Sequence, residues 1–371
     1  MQTSIHVWAP SFVSSGDGIT AFSRELALAL SERATLHLLG KSDRDGGWPG
    51  VPLVGSGHIP DLLRSAHFAS RAVISAISHR PDLIVSTHVN FGPIAHALKM
   101  LLGSPFVLVA HGIDVGPRIS APRLRALKAA DSLWAVSRWT RARLLACGAN
   151  EKKVSLVPNT VREEAFGVGA PDDGLRRRYS IRGDEKVILT VARLDSRERY
   201  KGCDKVLRAM PAVRQAVGPL RYLVVGTGDD VGRLASLAAS LGLEFQVTFC
   251  GYVPDPELAA HYRLANVFAM PSAGEGFGIV FLEAMACGIP VLGGNVDGTT
   301  DALADGELGL LVDPESEDAV TAGLIDLLQR RGPPLWFDPR GLRARCLALY
   351  GRYAFRSRVR NALFGVCRGD C

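Results

Sequence analysis

Short apolar, β-branched runs alternate with longer segments of helical period through the first half of the chain: SIHVWA, ITAFSRELALALSE, ATLHLLG, DLIVSTH, PFVLVAHG, SLWAV and VSLVPN. Runs that are apolar at every position fit strands buried on both faces, and the segments between them fit helices covering those faces. The rhythm predicts β-α-β units and a parallel sheet. It breaks between Val161 and Glu185, where GVGAPDDGLRRR is rich in Gly, Asp and Arg. It restarts at KVILTVARL and continues through a helix from about Lys201 to Val217, RYLVVG, VGRLASLAASLG, VTFCG, PELAAHYRLA and VFAMPS, then GLLVDP and SEDAVTAGLIDLLQRR after Gly294. The expected fold is α/β, with two Rossmann-like, doubly wound parallel-sheet domains facing a cleft, and ligands at the carboxyl ends of the strands. The domains are expected at 1–165 and 186–335, with a linker at 166–185 and a basic, aromatic helical tail at 336–371 that crosses back toward the first domain. No repeat of solenoid period interrupts this pattern.

A length of 371 residues agrees with two cores. The net charge of +6 changes the picture because it is uneven: residues 1–165 carry 18 Lys and Arg against 12 Asp and Glu, and the remainder is balanced. The excess is densest from Arg118 to Lys153, where Arg123, Arg125, Lys128, Arg138, Arg141 and Arg143 lie among Trp134 and Trp139. That stretch is either a solvated helix face or a contact for an anionic membrane or acceptor. No helix-turn-helix, RNP or zinc-finger pattern accompanies it, so no nucleic-acid partner is expected. Cysteines 147, 203, 250, 287, 346, 367 and 371 show no C-x-x-C spacing and are expected as reduced thiols. The start MQTSIHVWAP lacks a signal-peptide pattern, and no run of 18 apolar residues occurs. The expectation is a cytoplasmic protein that at most sits on the inner face of the plasma membrane.

Candidate chemistry concentrates in PSAGEGFGIVFLEAMACGIPVLGG, Pro271 to Gly294. Glycines 274, 276 and 278 allow a sharp turn after a strand, and the spacing of Ile279, Phe281, Leu282, Ala284 and Met285 predicts a short helix stopped by Gly288. Amides near Phe277 to Val280 would then face the cleft from a helix N-terminus, an anion site suited to a diphosphate. Glu275 and Glu283 flank it, as acceptors for ligand hydroxyls or, alternatively, as a dipole partner and a surface residue. In TVARLDSRERYKGCD, Arg193 follows the restarted domain's first strand and Lys201 opens the next helix. Two such cations can neutralise a diphosphate, though either can also be a solvated loop charge.

Taken together these motifs resemble the retaining glycosyltransferases of family four, which have the GT-B fold of two Rossmann-like domains. The resemblance rests on the E-x7-E pair Glu275/Glu283, the Arg193/Lys201 pair, AHGID at 110–114, AVSRWT at 135–140, VPN at 157–159 and VVGTGDD at 224–230. It implies that Arg193 and Lys201 hold a donor diphosphate and that amides of Gly276, Phe277, Gly278 and Ile279 hold phosphate and transferred sugar. It further implies that Glu275 accepts from sugar hydroxyls, that Glu283 accepts from the ribose, that His111 lies near the anomeric carbon and that the loop around Val253 contacts the base. Gly18 fits the position beside the phosphates. Two positions depart from the family pattern: Asp17 stands where a glycine is common, and Asn159 is followed by Thr160. Asp17, Asp114 and Asn159 are therefore left as acceptor-side or unassigned candidates.

The implied reaction moves a hexose, with a lean toward mannose, from a nucleoside-diphosphate sugar to a saccharide or a polyprenyl- or other lipid-linked acceptor in bacterial polysaccharide or lipopolysaccharide synthesis. No metal or other cofactor is expected, and DRD at 43–45 is expected to be a solvated loop. The rival readings are an inverting transferase or phosphorylase on the same architecture, a Rossmann oxidoreductase, which lacks the G-x-G-x-x-G order here, and a basic membrane-surface module.

Overall fold

The computed structural model describes residues 3–13, 17–364 and 366. By internal contacts the chain forms two compact units, Met1–Thr160 with Tyr353–Cys371, and Val161–Arg352.

The first unit runs β1 (Ser4–Ala9), α1 (Gly18–Ser31), β2 (Thr35–Gly40), β3 (Gly46–Trp48), β4 (Val51–Gly55), α2 (Asp61–His79), β5 (Leu83–Ser86), α3 (Gly92–Leu102), β6 (Phe106–Ala110), α4 (Ala121–Ala129), β7 (Ser132–Ala135), α5 (Arg138–Ala146) and β8 (Val154–Leu156). Its sheet has the order β3-β4-β2-β1-β5-β6-β7-β8. Every pairing is parallel except β3 with β4. The direction of winding reverses between β1 and β5. All five residues of β6 have no exposed surface, as the apolar run predicts for a strand covered on both faces. The β3–β4 hairpin was not legible, because GGWPGVP reads as loop by composition.

The second unit runs α6 (Asp173–Arg178), β9 (Lys186–Val191), α7 (Cys203–Val217), β10 (Leu220–Val225), α8 (Val231–Ser240), β11 (Val247–Gly251), α9 (Asp255–Leu264), β12 (Val267–Met270), α10 (Ile279–Ala286), β13 (Val291–Gly294), α11 (Thr299–Ala302), β14 (Leu310–Val312), α12 (Glu317–Leu328) and α13 (Pro339–Tyr350). The sheet is wholly parallel in the order β11-β10-β9-β12-β13-β14, with its reversal between β9 and β12. Helix α7 buries Val206, Leu207, Met210 and Val213 at helical spacing, and α12 adds Val320, Leu324 and Leu327 to the same cluster.

Two segments differ from expectation. The stretch 166–185 holds α6 and buries Leu175 and Ile181 within the second unit. The tail divides: α13 stays with the second unit, while α14 (Arg352–Phe364) packs from Tyr353 onward in the first. There Phe355 meets Phe22 of α1 edge-on at 5.4 Å between ring centroids, and Arg356 pairs with Glu32 at 2.6 Å. Among the described residues no helix is long and apolar enough to cross a membrane. Cys147, Cys203, Cys250, Cys287 and Cys346 are free thiols, and Cys367 and Cys371 lie outside the described residues.

Candidate functional site

In a doubly wound sheet, loops leaving the two strands at the reversal diverge and open a crevice between them. In the second unit those strands are β9 and β12, whose loops carry Arg193 and Glu275. Lys201 ends a short 3₁₀ turn over Ser196–Lys201 rather than opening α7, which begins at Cys203. Within that turn Glu198 faces both cations, with Oε1 2.5 Å from Arg193 Nη2 and Oε2 3.1 Å from Lys201 Nζ. The Lys201 and Glu198 side chains are 13% and 12% exposed, whereas Arg193 is 56% exposed, so one half-buried carboxylate gathers a half-buried and a solvent-facing cation. Sequence reasoning missed Glu198; an acid at i−3 from Lys201 was the available signal.

The GTGDD segment fixes this loop from beneath. Leu194 N donates to Thr227 O at 2.9 Å, Asp230 N donates to Leu194 O at 2.9 Å, and Asp230 pairs with Arg199 at 3.0 Å. Gly228 has φ +159, and any Cβ there would lie 2.0 Å from Leu194 O, so the approach requires glycine.

The β12 loop is organised by Asp297, which is 2% exposed. Its Oδ2 accepts from Ser272 Oγ at 2.8 Å and from the amides of Gly274 and Glu275, each at 2.7 Å, and its Oδ1 accepts from Thr299 N at 2.9 Å. Asp297 was also missed. It lies in GGNVDGTTDAL, where nothing local marks it as a clamp for the loop that leaves the neighbouring strand β12. The two loops meet where Ala273 N donates to Tyr200 O at 2.9 Å. Glu275 is half-buried, and desolvation raises its carboxyl above the usual range against the opposing pull of Lys201. Gly278, at φ +89, leads into α10 without a side-chain cap, and Gly276, Phe277 and Gly278 are buried. Ile279 is half-buried as the first residue of α10. The structure thus brings Arg193, Lys201, Glu275 and the N-terminus of α10 together around one reversal.

Glu283 is 9% exposed, which removes the surface alternative, and it accepts from Tyr262 Oη at 2.8 Å. Burial pushes its carboxyl up to about 7, with the tyrosine bond and Arg162 acting in the opposite direction. Val253 is buried in the loop between β11 and α9.

The first unit gathers a separate set at its own reversal. His111, after β6, is 8% exposed, and its Nε2 lies 2.9 Å from Thr87 O after β5. A carbonyl only accepts, so Nε2 carries the proton and Nδ1 keeps its lone pair. Burial lowers the His111 pKa, keeping the ring neutral, and Phe22 of α1 meets it edge-on at 5.3 Å. Asp114 Oδ1 accepts from His111 N at 2.9 Å. Asp17 is exposed and caps α1, its Oδ1 accepting from Thr20 N at 2.6 Å, and Gly18 is the first helical residue. Gly16 lies outside the described residues. Asn159 is buried, with no partner recorded for Oδ1.

Two readings of charged residues require correction. Asp43 is not part of a solvated loop: it is 4% exposed and accepts from Ser11 Oγ at 2.5 Å and Phe12 N at 2.7 Å, anchoring the turn after β1. The basic stretch is partly consumed inside the fold. Arg143 Nε donates to Gly112 O at 3.0 Å and Val115 O at 2.8 Å while its guanidinium lies 4.6 Å over Trp139. Arg141 pairs with Glu151 at 2.5 Å, and Lys153 Nζ donates to Ala130 O at 2.8 Å. Arg118, Arg125, Lys128 and Lys152 remain exposed.

Comparison with known proteins agrees with this division. Residues 16–165 match the Glycosyltransferase Family 4 model, and residues 172–339 match the model for Glycosyl transferases group 1. A GDP-mannose-dependent α-(1-6)-phosphatidylinositol monomannoside mannosyltransferase of Mycolicibacterium smegmatis is 36% identical over 262 residues, covering 67% of this chain and 64% of the relative. The matched stretch therefore spans less than two thirds of that relative's length. A D-inositol 3-phosphate glycosyltransferase of Segniliparus rotundus is 29% identical over 370 residues, covering 88% of this chain and 81% of the relative. Among solved structures, Anabaena HepE in complex with UDP and glucose superposes with a TM-score of 0.79 at 20% identity, covering 98% of this chain and 99% of that one. Sucrose-phosphate synthase from Thermosynechococcus elongatus gives a TM-score of 0.81 at 22% identity, covering 99% and 100%. The chain is accordingly built from a family 4 glycosyltransferase domain followed by a group 1 glycosyl transferase domain, in the GT-B fold.

Proposed function

We propose that this chain is a retaining hexosyltransferase that moves mannose from GDP-mannose to a hydroxyl of a saccharide or lipid-linked saccharide in cell-surface glycan synthesis. The observation that carries the reading is the pair of cations held on Glu198 beside the glycine-led start of α10. A diphosphate offers Arg193 and Lys201 more charge than one carboxylate does, and the α10 amides add oriented dipoles. As the glycosidic bond breaks, negative charge grows on the departing diphosphate, so these groups stabilise the transition state more than the bound donor. Two cations so placed supply the charge that a divalent ion supplies elsewhere, and the proposed reaction is metal-independent. Glu275 orients the sugar through its hydroxyls, Glu283 and the Val253 loop hold the nucleoside, and neutral His111 accepts from a hydroxyl near the reacting carbon. The GDP-mannose preference is supported by the use of that donor in the mycobacterial relative's name. Exposed Arg118, Arg125, Lys128 and Lys152 are proposed to hold an anionic lipid surface on the cytoplasmic side.

The test is transfer from GDP-mannose, UDP-glucose and UDP-N-acetylglucosamine, each with glycolipid acceptors, with the product anomer assigned by NMR. An α-linked mannoside from GDP-mannose is expected. A β-linked product, or turnover that requires inorganic phosphate, would replace the retaining assignment with one of its rivals. Salt-sensitive vesicle binding with no sugar-nucleotide binding would favour the surface-module reading.

A further inference from the structure

Three histidines of the first unit converge away from the residues discussed so far. His6 on β1 stands in register opposite His37 on β2, and His79, the last residue of α2, closes over the pair. Ring centroids lie 4.9 Å apart for His6 and His37, 4.0 Å for His37 and His79, and 5.8 Å for His6 and His79. One nitrogen from each ring lies within 4.8 Å of the others.

His6 has no exposed surface, and neither of its ring nitrogens has a hydrogen-bond partner. A buried polar group left unpaired is destabilising, so both ring nitrogens of His6 lack the partner that burial demands. His79 Nδ1 lies 2.9 Å from Ser75 O, so it carries the proton and leaves Nε2 with a free lone pair. An imidazole whose second nitrogen donates to a backbone carbonyl is the usual state of a metal-bound histidine.

We propose that His6, His37 and His79 bind a divalent ion of borderline softness, Zn2+ by preference, with a water in the fourth position. Three neutral imidazoles select Zn2+ over Mg2+ or Ca2+, which favour oxygen ligands. Nitrogens bound tetrahedrally at about 2.1 Å lie about 3.4 Å apart, so separations that now reach up to 4.8 Å shorten by at most about 1.4 Å on binding. Half-exposed His37 and exposed His79 are free to make that movement while His6 stays fixed in the sheet. The site lies toward the end of the sheet where α2 returns to β5, away from the strand ends that carry His111 and Asp17. Its effect is to pin the end of α2 onto β1 and β2, and it takes no part in glycosyl transfer.

The experiment uses tag-free, chelator-treated full-length protein titrated with Zn2+ and with Co2+ as a spectroscopic probe. One equivalent should bind, Co2+ should show the absorption of a tetrahedral nitrogen site, and a hundredfold excess of free Zn2+ over Kd should raise Tm by roughly 5 °C. His37→Ala and His79→Ala should each weaken binding at least about tenfold, with metal-free Tm and transferase turnover close to those of the parent. Circular dichroism and His79→Gln guard against a misfolded variant. Unchanged affinity in the His37→Ala/His79→Ala double variant, thiolate charge-transfer bands with Co2+, or no bound ion at micromolar concentration would each overturn the assignment.

Discussion

The backbone amide of Glu275 donates to Asp297 Oδ2 at 2.7 Å, so the acid expected to face the sugar is held through its main chain by a second, buried acid. The Asp297 carboxylate accepts four donors, from Ser272, Gly274, Glu275 and Thr299. Asp297→Asn replaces one accepting oxygen with a donor and sets it against an N–H or O–H. It should lower stability by about 2 kcal/mol and kcat by more than tenfold, with donor KM changed less. Urea unfolding and initial rates measure the two effects; parent-like kcat would remove Asp297 as the organiser of the loop.

Glu198 joins Arg193 and Lys201, and that sharing makes a prediction for three positions. Alanine at Arg193 or Lys201 should reduce kcat by roughly a hundredfold or more, the scale at which one transition-state electrostatic contact is lost. Glu198→Gln should have a smaller effect, mainly on donor KM, because the cations remain but are no longer pre-placed. Near-normal steady-state rates in both Arg193→Ala and Lys201→Ala would exclude the diphosphate role.

Burial raises the pKa of Glu283 in the folded state to about 7, from the 4.5 ordinary for a glutamate. The folded state therefore binds more protons than the unfolded chain between those values, and stability falls as pH rises from about 4.5 to 7. The loss is on the order of 3 kcal/mol when complete. Glu283→Gln should match the parent in Tm near pH 4.5 and exceed it at pH 8, while binding donor more weakly if the ionised carboxylate accepts from the ribose. A parent–variant difference in Tm that does not depend on pH would show that burial does not tax the charge.

Arg143 fastens the segment from His111 to Val115 through the carbonyls of Gly112 and Val115. Arg143→Ala should cost about 2 kcal/mol and lower turnover by disordering that segment. Arg125→Ser with Lys128→Ser, by contrast, should leave soluble-acceptor turnover intact and reduce binding to anionic vesicles in a salt-dependent way. A loss of vesicle binding confined to Arg143→Ala would reverse these roles.

The doubly wound sheets were legible because their strands are apolar at every position, as in Phe106–Ala110, and because Gly274, Gly276 and Gly278 mark a turn with no other use. Glycine and charge spacing singled out Arg193, Lys201, Glu275 and Glu283 as candidates, but not the residues that position them. Glu198, Asp297 and Asp43 act through backbone amides and neighbouring side chains, and a carboxylate destined for such contacts looks in sequence like any solvated acid. Burial was the missing quantity, and burial of an acid depends on partners distant in the chain. The same reason hid Arg143 among the basic residues, whose density suggested a surface.

Helix α14 completes the first unit from the far side of the second in sequence, since residues 161–352 intervene between Thr160 and Tyr353. During synthesis, Phe22 and Glu32 leave the ribosome long before Phe355 and Arg356 exist to cover them. The second unit is continuous and can close as soon as α13 is made, whereas the earlier-born unit must wait with an uncovered face on α1. Truncation before Tyr353 should therefore yield a chain whose last-made half is sound and whose first-made half is the one that aggregates or recruits chaperones.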